Sequence, residues 1–457
     1  MDPARIPGPI LLTLTLAACT RPHPPEGAAA PAIASATAPA AASPTPALGP
    51  ARFLVAGRHL IDLASAVAVP SPAARDLRTA HAEGNDAFYL SLGNTLSAED
   101  ATTHHPRFSV PLSDDADAIL AVGDTVFAIG ARTVLGLDRA TGRERFRRDI
   151  GHHLALRADH TPGPLDGPVA AGRSVAVADD EGNVYMVGPD GVVVSISPPP
   201  LLPPDPESPK GRPWVYSLIS TPDGVCILTV EIPGSFLENR QHLRCVAADG
   251  TPRWEHPWKG STSAATPRLV QTSAHHLLFA SRETDSKHDI SRLGIVYSLS
   301  DGSSVLESYS RLVAFAETPD GKLVGAFAPD GIPTLVDEKR AGRFVSVATP
   351  DASEPVFRIP AIGGGDGGLA LGIDGDCVFA FTYRSAGLIT LVRADLATGK
   401  ERWRKEIELA RELNEHVELP ATLHRWGDHL AIRYTAKEGT GATVIDARTG
   451  ESLLSVP

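Results

Sequence analysis

Three kinds of residue in this chain could do chemistry: aspartates in a recurring phrase, three adjacent histidine pairs, and four cysteines. The phrase stands as "DRATGRERF" at 138–146, "DLATGKERW" at 395–403 and "DARTGESLL" at 446–454. A row of carboxylates could hold metal or move protons, but Asp followed by Thr and Gly is also what a tight hairpin needs. The carboxylate accepts backbone N–H groups just ahead of it, the threonine adds a hydroxyl, and the glycine takes a positive φ. A carboxylate used in that way already has its donors. Asp138, Thr141 and Gly142, Asp395, Thr398 and Gly399, and Asp446, Thr449 and Gly450 therefore read as turns, with Phe146 and Trp403 projecting from the next strand as wedges between sheets.

The histidine pairs, His104-His105, His152-His153 and His275-His276, could suggest metal. Neighbours in an extended segment point in opposite directions, and no cysteine or carboxylate lies at a recognised ligand spacing around them. No metal site and no catalytic residue is assigned. Cys226 and Cys245 lie on the two strands of one expected hairpin, nearly opposite each other. A cross-strand bridge and a pair of small buried side chains are both compatible with that placement. Cys377, in an apolar strand, reads as a free core thiol.

The elements that position these residues come from repetition. The stretch from Asn85 lies on the stretch from Gly123 without a gap over twenty-four residues, Asp86, Thr95, Asp100, Thr103, Arg107 and Phe108 matching Asp124, Thr133, Asp138, Thr141, Arg145 and Phe146. Looser copies follow, so that eight turn aspartates recur at 100, 138, 190, 249, 301, 351, 395 and 446. Each copy holds short apolar runs of period two between Gly, Asp and Pro, the pattern of antiparallel hairpins. With a weaker run ahead of each Gly-Asp, the unit is a four-stranded sheet. Sheets repeated with short edges are best arranged radially.

The form D-x-x-T-G-x-x-x-W resembles the repeat of the PQQ-like, quinoprotein-type propellers. The resemblance spans residues 51–457 and implies an all-β fold, one β-propeller of four-stranded antiparallel blades, eight in number with seven as the alternative. Asp62-Leu63-Ala64-Ser65 is a ninth, faint echo, read as a share of the first or closing blade. Quinoprotein alcohol dehydrogenases of this fold carry adjacent cysteines, a calcium held by Glu, Asn and Asp, and a tryptophan floor in the channel. Here the cysteines are well separated and no Cys-Cys occurs, so no cofactor and no enzyme is expected. The alternative is a PQQ-dependent or other small-ligand enzyme that uses the central channel. Two insertions depart from the repeat: a proline-dense connection at 197–214, and a charged one at 405–420 that reads as a short helix with Ile407, Leu409 and Leu413 inward.

Residues 1–18 read as an export signal, with Arg5 ahead of an apolar stretch too short to cross a bilayer. Leu16-Ala17-Ala18-Cys19 resembles a bacterial lipobox, which implies cleavage before Cys19 and lipid attachment there. Residues 19–50, rich in Ala and Pro, read as a disordered tether. Thr20 after the cysteine points to the outer membrane, with the periplasmic or surface face open. The net charge of −12 without a basic block argues against nucleic acid. Lipobox, tether and repeat together resemble the lipid-anchored propellers of the outer-membrane β-barrel assembly machine, which implies a non-enzymatic scaffold with envelope proteins or peptides as partners.

Overall fold

The computed structural model describes residues 52–74, 76–154, 167–197, 212–232, 238–261, 268–284, 290–308, 312–318, 323–327, 344–348, 357–360, 369–374, 377–383, 387–413, 421–436 and 439–457. By compactness the chain divides into Met1–Ser43 and Pro44–Pro457, and the described residues all lie in the second unit. Cys19, the signal, the tether, most of the 197–214 connection and Asp351 lie outside them.

Those residues form antiparallel sheets, numbered here 1 to 9 in chain order: 53–70, 77–111, 118–149, 169–196, 212–261, 268–308, 312–360, 369–408 and 421–456. Sheet 1 has three strands and the other eight have four, each made of strands consecutive in the chain. The eight four-stranded sheets correspond to the eight copies of the sequence repeat. The ninth echo builds a sheet of its own, because its three strands pair only with one another. It does not lend strands to a neighbour, as its faintness had suggested.

Period-two alternation explains the packing, since successive side chains of a strand face the two neighbouring sheets. Phe127 and Val134 of sheet 3 pack toward sheet 4, with Val175 and Val187, while Val126 and Leu135 pack toward sheet 2, with Phe88 and Leu96. The core is thus a series of apolar layers between sheets. The first strand of each sheet packs beside the first strand of the next. The series closes on itself: Leu54 and Ile61 of sheet 1 share a layer with Ala431 and Val444 of sheet 9, while Phe53 and Leu60 share one with Ala87 and Tyr89 of sheet 2. This is a β-propeller with its first strands innermost.

The charged connection at 405–420 differs from expectation over 405–413, its remainder lying outside the described residues. Its first residues extend the outer strand of sheet 8, Glu401–Glu408, where Ile407 pairs with Ile389. Leu409 and Leu413 are buried as expected, but through strand pairing and an isolated bridge from Leu413 to Ala436 rather than through a helix.

Candidate functional site

The repeated aspartate organises the hairpin between the third and fourth strands. Asp395 Oδ1 accepts Thr398 N–H at 2.8 Å and Thr398 Oγ1 at 2.7 Å, while Gly399 N–H donates to the Asp395 carbonyl at 2.8 Å. Asp138 binds Thr141 N–H at 3.0 Å and its hydroxyl at 2.8 Å, and Asp446 binds the Arg448 and Thr449 N–H groups at 2.7 and 3.0 Å. Gly142, Gly399 and Gly450 all have positive φ, at 70°, 66° and 74°. The second carboxylate oxygen is used as well. Arg107, Arg145 and Arg402, each seven residues beyond its aspartate, reach back to Oδ2 of Asp100, Asp138 and Asp395. That arginine is legible in the sequence, and its role there had gone unread. Asp138 is held near pKa 2 first by Arg145 and then by Thr141, Asp395 near 2 first by Thr398, and Asp100 near 2 first by the Thr103 amide.

The turn glycine and the wedge ring are one device shared between neighbouring sheets. A Cβ on Gly142 of sheet 3 would lie 2.5 Å from the Phe108 ring of sheet 2. On Gly191 it would meet Phe146 at 2.7 Å, on Gly302 it would meet Trp254 at 2.6 Å, and on Gly450 it would meet Trp403 at 2.9 Å. Trp254 and Trp403 also donate their indole N–H, at 3.1 Å each, to the carbonyls of Leu299 and Ala447 in the following sheet. Trp254 is 8% exposed and Trp403 is half-buried. Glycine is therefore required twice over, by its φ and by the ring that occupies the place of a side chain.

The remaining sequence candidates fall as follows. Cys226 and Cys245 face each other in the register of sheet 5, their Cα atoms 4.0 Å apart and their sulfurs joined, while Cys377 is buried and forms no disulfide. His152 lies near Glu181, at 3.4 Å, and Asp179, at 3.9 Å, a set of ligand types able to hold a metal ion. Asp179, however, already accepts from the Glu181 and Asn183 amides, Asn183 Nδ2 and Tyr185 OH, two bonds to each oxygen. His276 and His275 approach Glu317 at 3.2 and 3.8 Å. These carboxylates lie 27 to 42 residues further along the chain, which is why linear spacing did not reveal them. Buried Glu99 accepts from Tyr89 OH at 2.7 Å and Ser71 Oγ at 3.1 Å, and it ties the link between sheets 1 and 2 to the interior of sheet 2.

One polar group was missed altogether. Where sheets 9, 1 and 2 meet, His424 and His81 sit on inner strands, and Arg433 on the second strand of sheet 9 donates from Nε to the Val55 carbonyl of sheet 1 at 3.3 Å. Each ring keeps part of its surface open while protein surrounds it. Burial, with the Arg433 charge added, brings both rings down to about 4, and Arg139 also acts on His81. Burial lowers Arg433 itself.

No family model and no curated protein sequence matches the chain. Among solved structures it is similar to BamB from Moraxella catarrhalis, at 14% identity over 88% of this chain and 95% of that one, with a TM-score of 0.39. It is also similar to the quinohemoprotein alcohol dehydrogenase from Comamonas testosteroni, at 11% over 82% and 73% with a TM-score of 0.43, and to the Neurospora crassa Pan2 WD40 domain, at 12% over 86% and 95% with 0.40. The fold assignment rests on the strand pairing and on the closed series of layers.

Proposed function

We propose that this protein is a non-enzymatic, lipid-anchored scaffold of the bacterial envelope, on which the propeller binds proteins or peptides. One observation carries the reading: the residues that the sequence repeats, and that could have been catalytic or metal-binding, are engaged in turns and inter-sheet contacts. Asp138 and Asp395 use both oxygens internally, and the rings of Phe146, Trp254 and Trp403 lie on the next sheet's glycine. A rigid ring of this kind presents its connections as the variable part of the surface, where partners dock. The lipobox resemblance at Cys19 supports the anchor, and Thr20 after it supports the outer membrane as its address. The resemblance to the lipid-anchored propellers of the β-barrel assembly machine supports envelope proteins as the partners.

Two experiments test the two halves of the proposal. Cys19→Ser should move the protein from the detergent-extracted membrane fraction to the soluble fraction and remove acyl mass from its N-terminal peptide. A wild type without acyl mass would reject the anchor. Crosslinking in cells followed by mild detergent extraction should recover envelope proteins in fixed ratio to the propeller. Recovery of the propeller alone would reject the scaffold.

A further inference from the structure

Several arginines of the described structure find carboxylates: Arg139 meets Asp86 at 2.7 Å, Arg402 meets Asp395 at 3.1 Å, and Arg107 meets both Asp86 and Asp100. Arg433 does not. Its one hydrogen bond among the described residues is the long one to the Val55 carbonyl, and no carboxylate there pairs with it. Enclosure makes this costly, because a guanidinium taken out of water without a counter-charge loses hydration that a single carbonyl does not replace.

The charged groups that act on the two histidine rings are cationic, Arg139 being itself paired with Asp86. Arg139 and Arg433 both act on His81, and Arg433 acts on His424. His424 Nε2 lies 2.9 Å from Thr422 Oγ1, and His81 Nε2 is buried with no hydrogen-bond partner. Val55 lies on the innermost strand of sheet 1, which has a paired strand on one side only, and His81 and His424 lie on the innermost strands of the flanking sheets. A positive, donor-rich spot is therefore set at the inner edge of a chain whose net charge is −12.

We propose that Arg433, with His81 and His424 beside it, forms an oxyanion-binding site in the channel wall at the junction of sheets 9, 1 and 2, taking a phosphate or a carboxylate group. The guanidinium fork matches either group with two parallel hydrogen bonds. The neutral His81 ring has donor capacity that the fold leaves unused. A bound anion would supply the counter-charge that the protein itself omits. This site does not depend on the scaffold reading, since a channel ligand and a partner on the connections occupy different surfaces.

The test uses the full chain in mild detergent, with inorganic phosphate followed by phosphorus NMR line width and acetate by carbon NMR line width, at constant ionic strength in chloride. The wild type should broaden at least one probe in a saturable way, and the probe that responds identifies the group recognised. Arg433→Met should abolish the broadening. Arg433→Lys, which keeps the charge and loses the fork, should weaken binding about ten-fold, and it carries the test if Arg433→Met does not fold. Absence of broadening by the wild type with both probes, or equal broadening by a folded variant, would overturn the proposal.

Discussion

The interface of sheets 5 and 6 and the junction of sheets 1 and 2 do the same job with opposite means. In the first, the Trp254 ring lies on Gly302, its indole N–H reaches Leu299, and Tyr297 packs beside it. In the second, the chain leaves the third strand of sheet 1, Val67–Pro70, and enters sheet 2 through the short 3-10 turn Pro72–Ala74, with no fourth strand to carry a wedge. The turn of sheet 2 keeps the repeated geometry: His104 N–H donates to the Asp100 carbonyl at 2.8 Å, and His104 takes φ 59° where the turns of sheets 3, 8 and 9 have Gly142, Gly399 and Gly450. Glycine is dispensable there because no ring arrives from the preceding sheet. The same logic holds at sheet 1, where Ala66, φ 54°, stands at the glycine position and the wedge position of sheet 9 is Leu454 rather than an aromatic residue. The seam of the ring is thus polar and lightly wedged, while the interfaces of sheets 2 and 3, 3 and 4, 5 and 6, and 8 and 9 are locked by paired glycine and ring.

The comparison breaks first at the lock. Trp254→Ala removes a buried indole and its hydrogen bond, and should lower stability by about 3 to 5 kcal/mol in urea melts. Trp403→Ala, with a half-buried ring, should lower it by about 2 to 4 kcal/mol. Loss below 1 kcal/mol in both would mean that the rings do not hold the sheets together.

Acid should reach the seam before the locks. His81 and His424 titrate near 4 in the folded chain against an ordinary 6.5, so the folded state binds fewer protons than the unfolded chain throughout that interval. Their contribution is present above pH 6.5 and is lost as pH falls toward 4, on the order of 2 kcal/mol per ring. Asp100, Asp138 and Asp395, held near 2 against 3.8, give up theirs only between about pH 4 and 2. Burial also lowers His242 of sheet 5, so the effect is isolated by variants. Urea midpoints at pH 7 and pH 4.5 should fall markedly for the wild type and less for a His81→Gln, His424→Gln double variant. Equal falls would detach the acid response from the seam.

What was legible in the sequence follows from what is local. The turn aspartates, their threonines and glycines, and the two-residue alternation of the strands lie within one hairpin, and linear order displays them. The pairing of Gly302 with Trp254 or of Gly450 with Trp403 spans more than forty residues, so the ring and the glycine were each visible but their contact was not. Residues 405–413 misled for a different reason. Their charged, apolar-spaced pattern suits a helix in isolation, but continued pairing with Leu388 and Ile389 makes the strand win. Arg433, His81 and His424 could not be found from spacing at all, since they come from opposite ends of the chain and meet only when the ring closes.

The smallest effects sharpen the comparison most, because they separate the cost of a positive φ from the cost of a ring in the way. Gly302→Ala meets both, with φ 71° and a Cβ 2.6 Å from Trp254, and should lose about 1 to 3 kcal/mol or more. His104→Gly meets neither cost in reverse order: it relieves a non-glycine residue of its left-handed backbone, worth about 1 kcal/mol, and adds freedom to the unfolded chain, worth about 0.5 to 1 kcal/mol against it. The two nearly cancel, so the melting curve of His104→Gly should lie within about 1 kcal/mol of the wild type. A large stabilisation would show strain at His104 beyond that of the turn. A large loss would show that the exposed imidazole holds something at the seam, which would then be locked by a side chain of its own rather than left open by the missing strand.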